Sequence, residues 1–300
     1  MTKVLITGAN SFVGTNFRKF SQYTDIEEIS LFDTRPEDIE FSKYDVVLHL
    51  AAIVHQSKKI AEAEYFRVNR DLCLRVAEQA KKRGIRQFVF LSTLKVYGEF
   101  VNGSELRNED SECFPDDAYG KSKYSAEIGL KKLEDENFTI SIIRAPLIYG
   151  EGVKANMINL IKLVDSFLVL PLGKIENKRN FTYAENLVGY IDQIIKKQSS
   201  GIFIAMDEYA LSTTELVIYL SKYLGKKVRL FKLPLIFIHI GSLFIPSIFE
   251  RLYGSLEFDN SKTKKELNFK PPFSSEEGLR RMVYYYLESK RRKVKDKRQK

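Results

Sequence analysis

Residues 4–14 read VLITGANSFVG and join a short apolar run to the start of a helical pattern. Gly8 permits a tight turn after the run, and Gly14 permits the helix to pack closely on a sheet. The N-terminus of that helix would offer free N–H groups and a positive potential to a pyrophosphate. This order of strand, glycine-containing loop and helix predicts a dinucleotide-binding unit at the start of the chain.

The loop also predicts individual cofactor contacts, which are expected from Gly8, Asn10, Ser11, Phe12 and Val13. Ser11 stands where such loops usually carry their middle glycine, so its Cβ would crowd the phosphate while its hydroxyl could donate to it. Asp33 follows the predicted second strand, residues 29–32, where a carboxylate accepts from the adenosine ribose hydroxyls. A 2′-phosphate would be repelled there, which favours NAD, although the nearby Arg35 leaves NADP open.

The first half of the chain alternates short apolar strands with helical patterns. Residues 46–50 form one continuous run, as expected of a strand that is buried on both faces. A long helix is predicted over residues 64–83, ending at Gly84, and residues 88–91 form another buried strand. The alternation predicts an α/β fold, namely a Rossmann-type doubly wound parallel sheet with a smaller C-terminal substrate-binding α/β domain.

The predicted domain boundaries follow from this pattern. Residues 1–152 form the NAD(P)-binding domain, to which residues 181–206 are expected to return, and residues 153–288 form mainly the substrate-binding part. Residues 289–300 are predicted to be a disordered basic tail. Residues 233–249 are strongly apolar but interrupted and too short for a membrane span, so they predict a core or substrate-loop helix, with a monotopic membrane contact as the alternative.

The formal net charge of +9 is concentrated at the C-terminus. Eight basic residues and one acid between Lys290 and Lys300 account for +7, which leaves +2 for the rest of the chain. A nucleic-acid-binding face on the folded body is therefore not expected. The tail itself is either a solubilising extension or a segment attracted to an anionic membrane surface.

Cysteine and histidine usage argues against a metal site. The two cysteines, Cys73 and Cys113, suit a reducing compartment and are expected to be unpaired packing residues. The three histidines, His49, His55 and His239, are too scattered to provide a ligand spacing with them. Because the N-terminus does not resemble a signal peptide, a cytoplasmic protein is expected.

Tyr119 and Lys123 are four residues apart, which on a helix places the phenol and the ammonium one turn apart on the same face. The positive charge is expected to stabilise the phenolate and to draw the pKa of the tyrosine down from about 10. Such a tyrosine can act as a general base on a substrate hydroxyl and as a general acid in reverse. The same spacing occurs at Tyr223 and at Tyr286.

Context distinguishes Tyr119 from the other two tyrosines. It alone follows a buried strand that ends in hydroxyl-bearing residues, Ser92 and Thr93. Side chains at the carboxyl ends of the strands in doubly wound sheets point into the crevice where ligands bind. We therefore expect Thr93 to hydrogen-bond the substrate oxygen beside Tyr119.

With these motifs the chain resembles the extended short-chain dehydrogenases, which include nucleotide-sugar epimerases, dehydratases and reductases. The resemblance covers nearly the whole chain and adds VN at 68–69, DVVLHLAA at 45–52, VYG at 96–98 and RAPLIYG at 144–150. It implies a catalytic triad of Thr93, Tyr119 and Lys123. It further implies cofactor contacts from Leu50, Ala51, Ala52, Asn69, Tyr119, Lys123 and Pro146.

The resemblance also assigns the substrate contacts. Arg179, within the sequence KRNF at 178–181, is similar to the arginine that grips the substrate diphosphate, and Arg251 is a candidate for a second. Such charge-assisted contacts suit a diphosphate. Thr93 is expected to contact the reacting sugar.

Two features depart from the family pattern. The chain between Asp33 and Asp45 is short, so the strand that normally carries an adenine-contacting acid is missing or abbreviated. The dehydratases of the family carry Asp-Glu directly after the catalytic threonine, whereas this chain has Leu94 and Lys95. The absence of a carboxyl pair disfavours a dehydratase.

The resemblance therefore implies an NAD-dependent nucleotide-sugar 4-epimerase that acts on a UDP-hexose or UDP-N-acetylhexosamine through a transient 4-keto intermediate. One alternative is an NAD(P)H-dependent 4-keto nucleotide-sugar reductase of polysaccharide synthesis, and another is a non-enzymatic dinucleotide sensor. A homodimer is expected. The sugar, its C2 substituent, a polyprenyl-diphosphate substrate and a location at the inner face of the membrane remain open.

Overall fold

The computed structural model describes residues 2–54, 60–98, 106–234, 236–237, 243–244 and 246–298. Two units can be distinguished, of which the first comprises Met1–Pro146, Glu185–Met206 and Phe258–Pro271. The second unit comprises Leu147–Ala184, Asp207–Glu257 and Pro272–Lys300. The first segment of this unit thus ends at Pro146, earlier than the predicted residue 152. A third segment, Phe258–Pro271, also belongs to the first unit and was not predicted from the sequence.

The described strands are β1 (Val4–Thr7), β2 (Ile26–Ile29), β3 (Val46–His49), β4 (Gln87–Thr93), β5 (Thr139–Ala145), β6 (Leu147–Tyr149), β7 (Val169–Leu170), β8 (Phe181–Tyr183), β9 (Gly201–Ile204) and β10 (Arg229–Leu230). Six of them form an all-parallel sheet in the first unit, in the order β2-β1-β3-β4-β5-β9. In the second unit β7 pairs with β10, and β6 with β8, both in parallel. This topology confirms the predicted Rossmann-type fold class.

The described helices are α1 (Phe12–Phe20), α2 (Glu62–Phe66), α3 (Cys73–Lys82), α4 (Ala118–Lys131), α5 (Ala155–Ser166), α6 (Ala184–Lys197), α7 (Thr213–Tyr223), α8 (Pro246–Tyr253), α9 (Ser261–Leu267) and α10 (Ser275–Arg298). A π-helical segment, Arg67–Leu72, joins α2 to α3, so the helical backbone is continuous from Glu62 to Lys82. Within the described ranges, no helix is long and apolar enough to cross a membrane.

The two helices nearest to the predicted site begin at side-chain caps. The Ser11 hydroxyl accepts a hydrogen bond from the Gly14 N–H at 3.0 Å, and the Asp117 carboxylate accepts one from the Gly120 N–H at 2.6 Å. Capping residues satisfy backbone donors that the first turn of a helix leaves unpaired. The caps therefore fix where α1 and α4 start, and they explain why a serine replaces glycine at position 11.

Apolar residues from both faces of the sheet form the core of the first unit. All four residues of β1 and of β3 are buried, which accounts for their continuous apolar sequences. By contrast, β2 is an edge strand and tolerates the exposed Glu27. The sequence placed this second strand at residues 29–32, whereas β2 ends at Ile29.

A buried ion pair connects the sheet to α4. The Arg144 guanidinium on β5 lies 2.6 Å from the Glu127 carboxylate on α4, and their side chains are 3% and 1% exposed. The Ser92 hydroxyl on β4 also donates to Glu127, and the Arg144 guanidinium stacks 4.6 Å from the centre of the Tyr97 ring. These contacts attach α4 to the two strands that end at the predicted site.

In the second unit, Asp207 accepts hydrogen bonds from the Tyr149 hydroxyl at 2.7 Å and from the Tyr183 N–H at 2.9 Å. The last helix, α10, packs Leu279, Met282 and Val283 into this unit's core. It then continues to Arg298, although the sequence predicted disorder from residue 289. Residues 287–298 contain neither glycine nor proline and are rich in residues with high helix propensity, which explains the extension.

Replacing Glu127 with glutamine should destabilise the protein by about 3 kcal/mol, because it leaves the Arg144 charge buried without its counter-charge. The free energy of unfolding in urea measures this loss. Glu64→Gln is the matched control, since Glu64 forms a pair of similar length with Arg67, 2.7 Å, on the surface. Surface pairs contribute little, so an equal loss in both variants would contradict the assigned role of Glu127.

Candidate active site

The glycine-containing loop lies tightly between β1 and the end of β3. Gly8 has φ +110°, and a Cβ at this position would lie 2.6 Å from the Ala51 nitrogen. The N–H groups of Gly8 and Ala9 both donate to the Ile29 carbonyl, at 3.0 and 3.1 Å. Only glycine therefore fits position 8. The loop leads directly into α1, which begins at Phe12.

The acidic residue nearest to the loop is one that the sequence reasoning missed. The Glu28 carboxylate on β2 accepts a hydrogen bond from the Asn10 N–H at 3.1 Å. Asp33 lies beyond the strand in an exposed turn, where its N–H donates to the Ser30 carbonyl at 3.3 Å. Glu28 was detectable only through the register of β2, which pairs it with Ile6 beside the loop.

Asn69 fixes the segment that follows β3. Its side-chain oxygen accepts from the Ile53 N–H at 2.7 Å, and its side-chain nitrogen donates to the Ile53 carbonyl at 3.0 Å and to the Ser122 hydroxyl at 3.0 Å. Ser122 directly precedes Lys123 on α4. Asn69 therefore holds the backbone beside Ala51 and Ala52 against the helix that carries the predicted catalytic residues.

The structure brings Thr93 and Tyr119 together. Thr93 is the last residue of β4, and Tyr119 lies in the first turn of α4, where its phenol is hydrogen-bonded to the Thr93 side chain. The Thr93 oxygen also accepts from the Lys95 N–H at 3.3 Å, which orients its side chain. The hydroxyl pair predicted from the sequence therefore exists at the carboxyl end of the sheet.

Lys123 lies one turn further along α4 and is 2% exposed. Its ammonium lies 3.9 Å from the centre of the Phe90 ring. Burial lowers the pKa of this ammonium to about 8. Because a buried ammonium needs acceptors, the position fits a dinucleotide whose ribose hydroxyls approach Lys123.

The electrostatics of Tyr119 differ from the prediction. Burial and the negative charge of Asp117 raise the pKa of the phenol above its ordinary value of 10, and only the Thr93 hydrogen bond lowers it. Lys123 does not lower the pKa of the phenol in the protein alone. Asp117, which the sequence reasoning missed, is itself paired with Lys95, whose ammonium lies 2.5 Å from the carboxylate.

His49 is buried below the site and is uncharged at neutral pH. Its Nδ1 lies 2.7 Å from the Thr7 hydroxyl oxygen, and burial lowers its pKa to about 3. The nearby Lys123 charge contributes to this lowering. No group of three or more histidine, cysteine or acidic residues suited to a metal ion occurs in the part of the chain that the structure describes.

The other two tyrosine–lysine pairs have structural roles in the second unit. The Tyr223 hydroxyl donates to the Glu276 carboxylate at 2.7 Å, and Lys227 lies outside α7. The Tyr286 hydroxyl and the Lys290 ammonium both bind the Asp165 carboxylate, at 3.0 and 2.6 Å. Context therefore separates Tyr119 from both pairs, as the sequence predicted.

Both predicted substrate arginines lie in the second unit, where Arg179 contacts the C-terminal end of α8 and Arg251 lies on α8 itself. One Arg179 nitrogen donates to the carbonyls of Glu250 and Gly254, at 3.1 and 3.0 Å. Arg251 is exposed, with one nitrogen 3.5 Å from the Asn156 side-chain oxygen. Pro146, the predicted nicotinamide neighbour, is the last residue of the first segment of the first unit.

The family model described as the NAD dependent epimerase/dehydratase family matches residues 4–204. The chain belongs to this family. It is 34% identical to UDP-glucose 4-epimerase of Vibrio cholerae, over 96% of this chain and 97% of the relative. It is 26% identical, over 94% of both chains, to an N-acetyl-alpha-D-glucosaminyl-diphospho-ditrans,octacis-undecaprenol 4-epimerase of Escherichia coli O157:H7.

Solved structures share the fold of this family member. UDP-glucuronic acid 4-epimerase of Bacillus cereus, in complex with NAD, superimposes with a TM-score of 0.74 at 20% identity and covers 96% of this chain and 99% of its own. dTDP-4-dehydrorhamnose reductase of Bacillus anthracis, in complex with NADP, gives 0.76 at 20% identity over 95% and 99%. This chain is an NAD(P)-dependent enzyme of the extended short-chain dehydrogenase type.

Asp117→Asn should shift the acidic limb of the pH profile of kcat/KM to lower pH. The substitution keeps a good helix cap but removes the negative charge that raises the pKa of Tyr119, so the phenolate forms at lower pH. The released Lys95 charge acts in the same direction. Asp116→Asn is the matched control and should leave the profile unchanged, whereas an unshifted Asp117→Asn profile would contradict the assignment of Tyr119 as the base.

Proposed function

We propose that this enzyme is an NAD-dependent nucleotide-sugar 4-epimerase that acts on a UDP-hexose or UDP-N-acetylhexosamine through a transient 4-keto sugar. The observation that carries the proposal is the hydrogen-bonded pair of Thr93 and Tyr119, with the buried Lys123 one turn away. The similarity over the whole chain to UDP-glucose 4-epimerase of Vibrio cholerae supports this reaction.

The residues have separate roles in the proposed reaction. When bound, NAD⁺ supplies the redox chemistry, because it can take up a hydride from C4 and give it back. The Tyr119 oxygen removes the proton of the C4 hydroxyl and returns it after the 4-keto sugar has rotated. The Thr93 hydroxyl positions the reacting oxygen, and the Lys123 ammonium would hold the ribose hydroxyls of the bound cofactor.

The surroundings of the triad support an epimerase over a dehydratase. Leu94 is buried, and Lys95 is held by Asp117. The two positions after Thr93 therefore hold no acid to protonate a leaving hydroxyl at C6. A dehydratase needs such a proton donor, whereas 4-epimerisation needs only the base and the hydride acceptor.

NAD is the proposed cofactor, with NADP as the alternative. The Arg35 guanidinium, which could bind a 2′-phosphate, is paired with Asp38 at 2.9 Å, while Asp33 is exposed and available for ribose hydroxyls. The proposed contacts are Gly8, Asn10, Ser11, Phe12, Val13, Asp33, Leu50, Ala51, Ala52, Asn69, Tyr119, Lys123 and Pro146. Arg179 and Arg251 are proposed to bind the substrate diphosphate.

We also propose that the enzyme works as a cytoplasmic homodimer with a peripheral contact to the inner face of the membrane through its basic C-terminal segment. The relative of Escherichia coli O157:H7, whose name gives an undecaprenol-linked substrate, makes a polyprenyl-diphosphate sugar the alternative substrate. Seven basic residues in Lys290–Arg298 support the attraction to anionic lipid.

The purified enzyme, without added cofactor, should convert UDP-glucose or UDP-N-acetylglucosamine to the galacto epimer, as followed by proton NMR. Tyr119→Phe should lower the rate by about 10²- to 10⁴-fold, because it removes the base, while nucleotide released from the denatured protein stays at the wild-type amount. Tyr223→Phe is the matched control, since Tyr223 has the same spacing to a lysine, and should keep the wild-type rate.

Two results would contradict the epimerase. Turnover that occurs only with 4-keto nucleotide sugars and added NAD(P)H would assign the reductase that uses the same triad. A complete lack of turnover on activated sugars, by a protein that still binds dinucleotide, would assign the sensor.

A further inference from the structure

An exposed apolar run follows α5 in the second unit. Phe167, Leu168 and Val169 are consecutive and 55 to 62% exposed. The exposed Phe231 directly follows the neighbouring strand β10, and its N–H donates to the Leu170 carbonyl at 3.1 Å. Single exposed apolar residues are normal, but a contiguous group of this kind marks an interaction surface.

Basic residues are interspersed with apolar ones in the segment that contains β10, the strand that pairs with this run. Residues 225–234 read GKKVRLFKLP, and Lys227, Arg229 and Lys232 are exposed. The Arg229 N–H donates to the Leu168 carbonyl at 2.7 Å, which places this basic strand directly beside the apolar run. We call the group formed by residues 167–169 and 227–232 the amphipathic edge.

The basic end of α10 adjoins the same edge. Asp165 lies two residues before Phe167 in the sequence. Its carboxylate binds the Lys290 ammonium at 2.6 Å and lies 3.5 Å from the Lys226 ammonium. The acid that precedes the apolar run is thus neutralised by two lysines. Positive charge therefore lies on two sides of the apolar run. One side is β10, and the other is the C-terminal part of α10, where Arg291 and Arg292 are exposed.

Within residues 233–249 the structure describes 233–234, 236–237, 243–244 and 246–249, and the rest of this predicted stretch lies outside the described residues. Ile236, Phe237, Leu243 and Phe244 are between 57 and 81% exposed. The sequence predicted a core or substrate-loop helix for this stretch, with a monotopic membrane contact as the alternative. These four residues are not in a core, and they follow Phe231 within fourteen positions of the chain.

We propose that the amphipathic edge docks on the surface of a bilayer that contains anionic phospholipid. Interfacial binding combines apolar side chains that enter the boundary of the acyl region with lysine and arginine at the level of the headgroups. A second copy of the chain is a poorer occupant, because the cores of protein interfaces are depleted in lysine. The proposal rests on the membrane location proposed above and is independent of the 4-epimerase chemistry.

A fluorescent reporter tests the docking directly, since the chain contains no tryptophan. Leu168→Trp should show a blue shift of its emission when vesicles of phosphatidylglycerol and phosphatidylcholine are added, and no shift with phosphatidylcholine alone. Ile218→Trp, on α7 of the same unit and similarly exposed, is the matched control and should not respond. No shift for Leu168→Trp, or an equal shift for both reporters, would overturn the proposal.

Sedimentation with the same anionic vesicles tests the role of charge. The triple variant Lys227→Gln, Arg229→Gln and Lys232→Gln should reduce vesicle partitioning by about 100-fold, since each basic residue near an anionic surface contributes about fivefold. Lys82→Gln, Lys131→Gln and Lys132→Gln remove the same charge from the first unit and should change it far less. Equal losses in the two triple variants would overturn the proposal.

Two further measurements separate the alternatives. If the tryptophan at position 168 responds to protein concentration and not to vesicles, and light scattering shows that the edge variants lose a dimer, the edge is an interface between two copies and the proposal is wrong. Turnover of soluble UDP-sugars by the Leu168→Trp variant should equal that of wild type, so a failure of membrane binding is distinguishable from a failure of the epimerase assignment.

Discussion

The ion pair between Glu127 and Arg144 determines where the reacting groups lie. Neither side chain reaches solvent, so each charge is stable only while the other remains within bonding distance. Glu127 shares α4 with Tyr119, and Ser92, which donates to Glu127, directly precedes Thr93. A single buried interaction therefore fixes the helix that carries the base and the strand that carries the hydroxyl beside it.

The proton affinities of the reacting groups are set by burial and by one neighbouring carboxylate. Burial and the charge of Asp117 raise the pKa of the Tyr119 phenol, and burial lowers the pKa of the Lys123 ammonium to about 8. The same carboxylate caps α4 and is partly neutralised by Lys95. The residue that starts the catalytic helix thus also sets the proton affinity of the base, so local structure and chemistry depend on one side chain.

The parts of the fold that follow from local pattern could be predicted from the sequence. The hydrophobic pattern of the sequence correctly placed the buried strands, and the spacing of its motifs correctly placed the loop at Gly8 and the Thr93–Tyr119 pair. Errors arose where local pattern was ambiguous: the apolar residues 29–32 suggested a strand, whereas β2 uses residues 26–29. Glu28 and Asp117 were missed because their roles come from contacts with residues distant in the sequence.

Transfer of the C4 hydrogen tests the central claim most directly. UDP-glucose that carries deuterium at C4 is incubated in ordinary water with the purified enzyme, without added cofactor, and the product is examined by NMR. The account predicts a galacto product that retains the deuterium at C4, because the same hydrogen leaves and returns within one turnover. Loss of the deuterium to solvent, or its recovery only in free dinucleotide, would contradict the account.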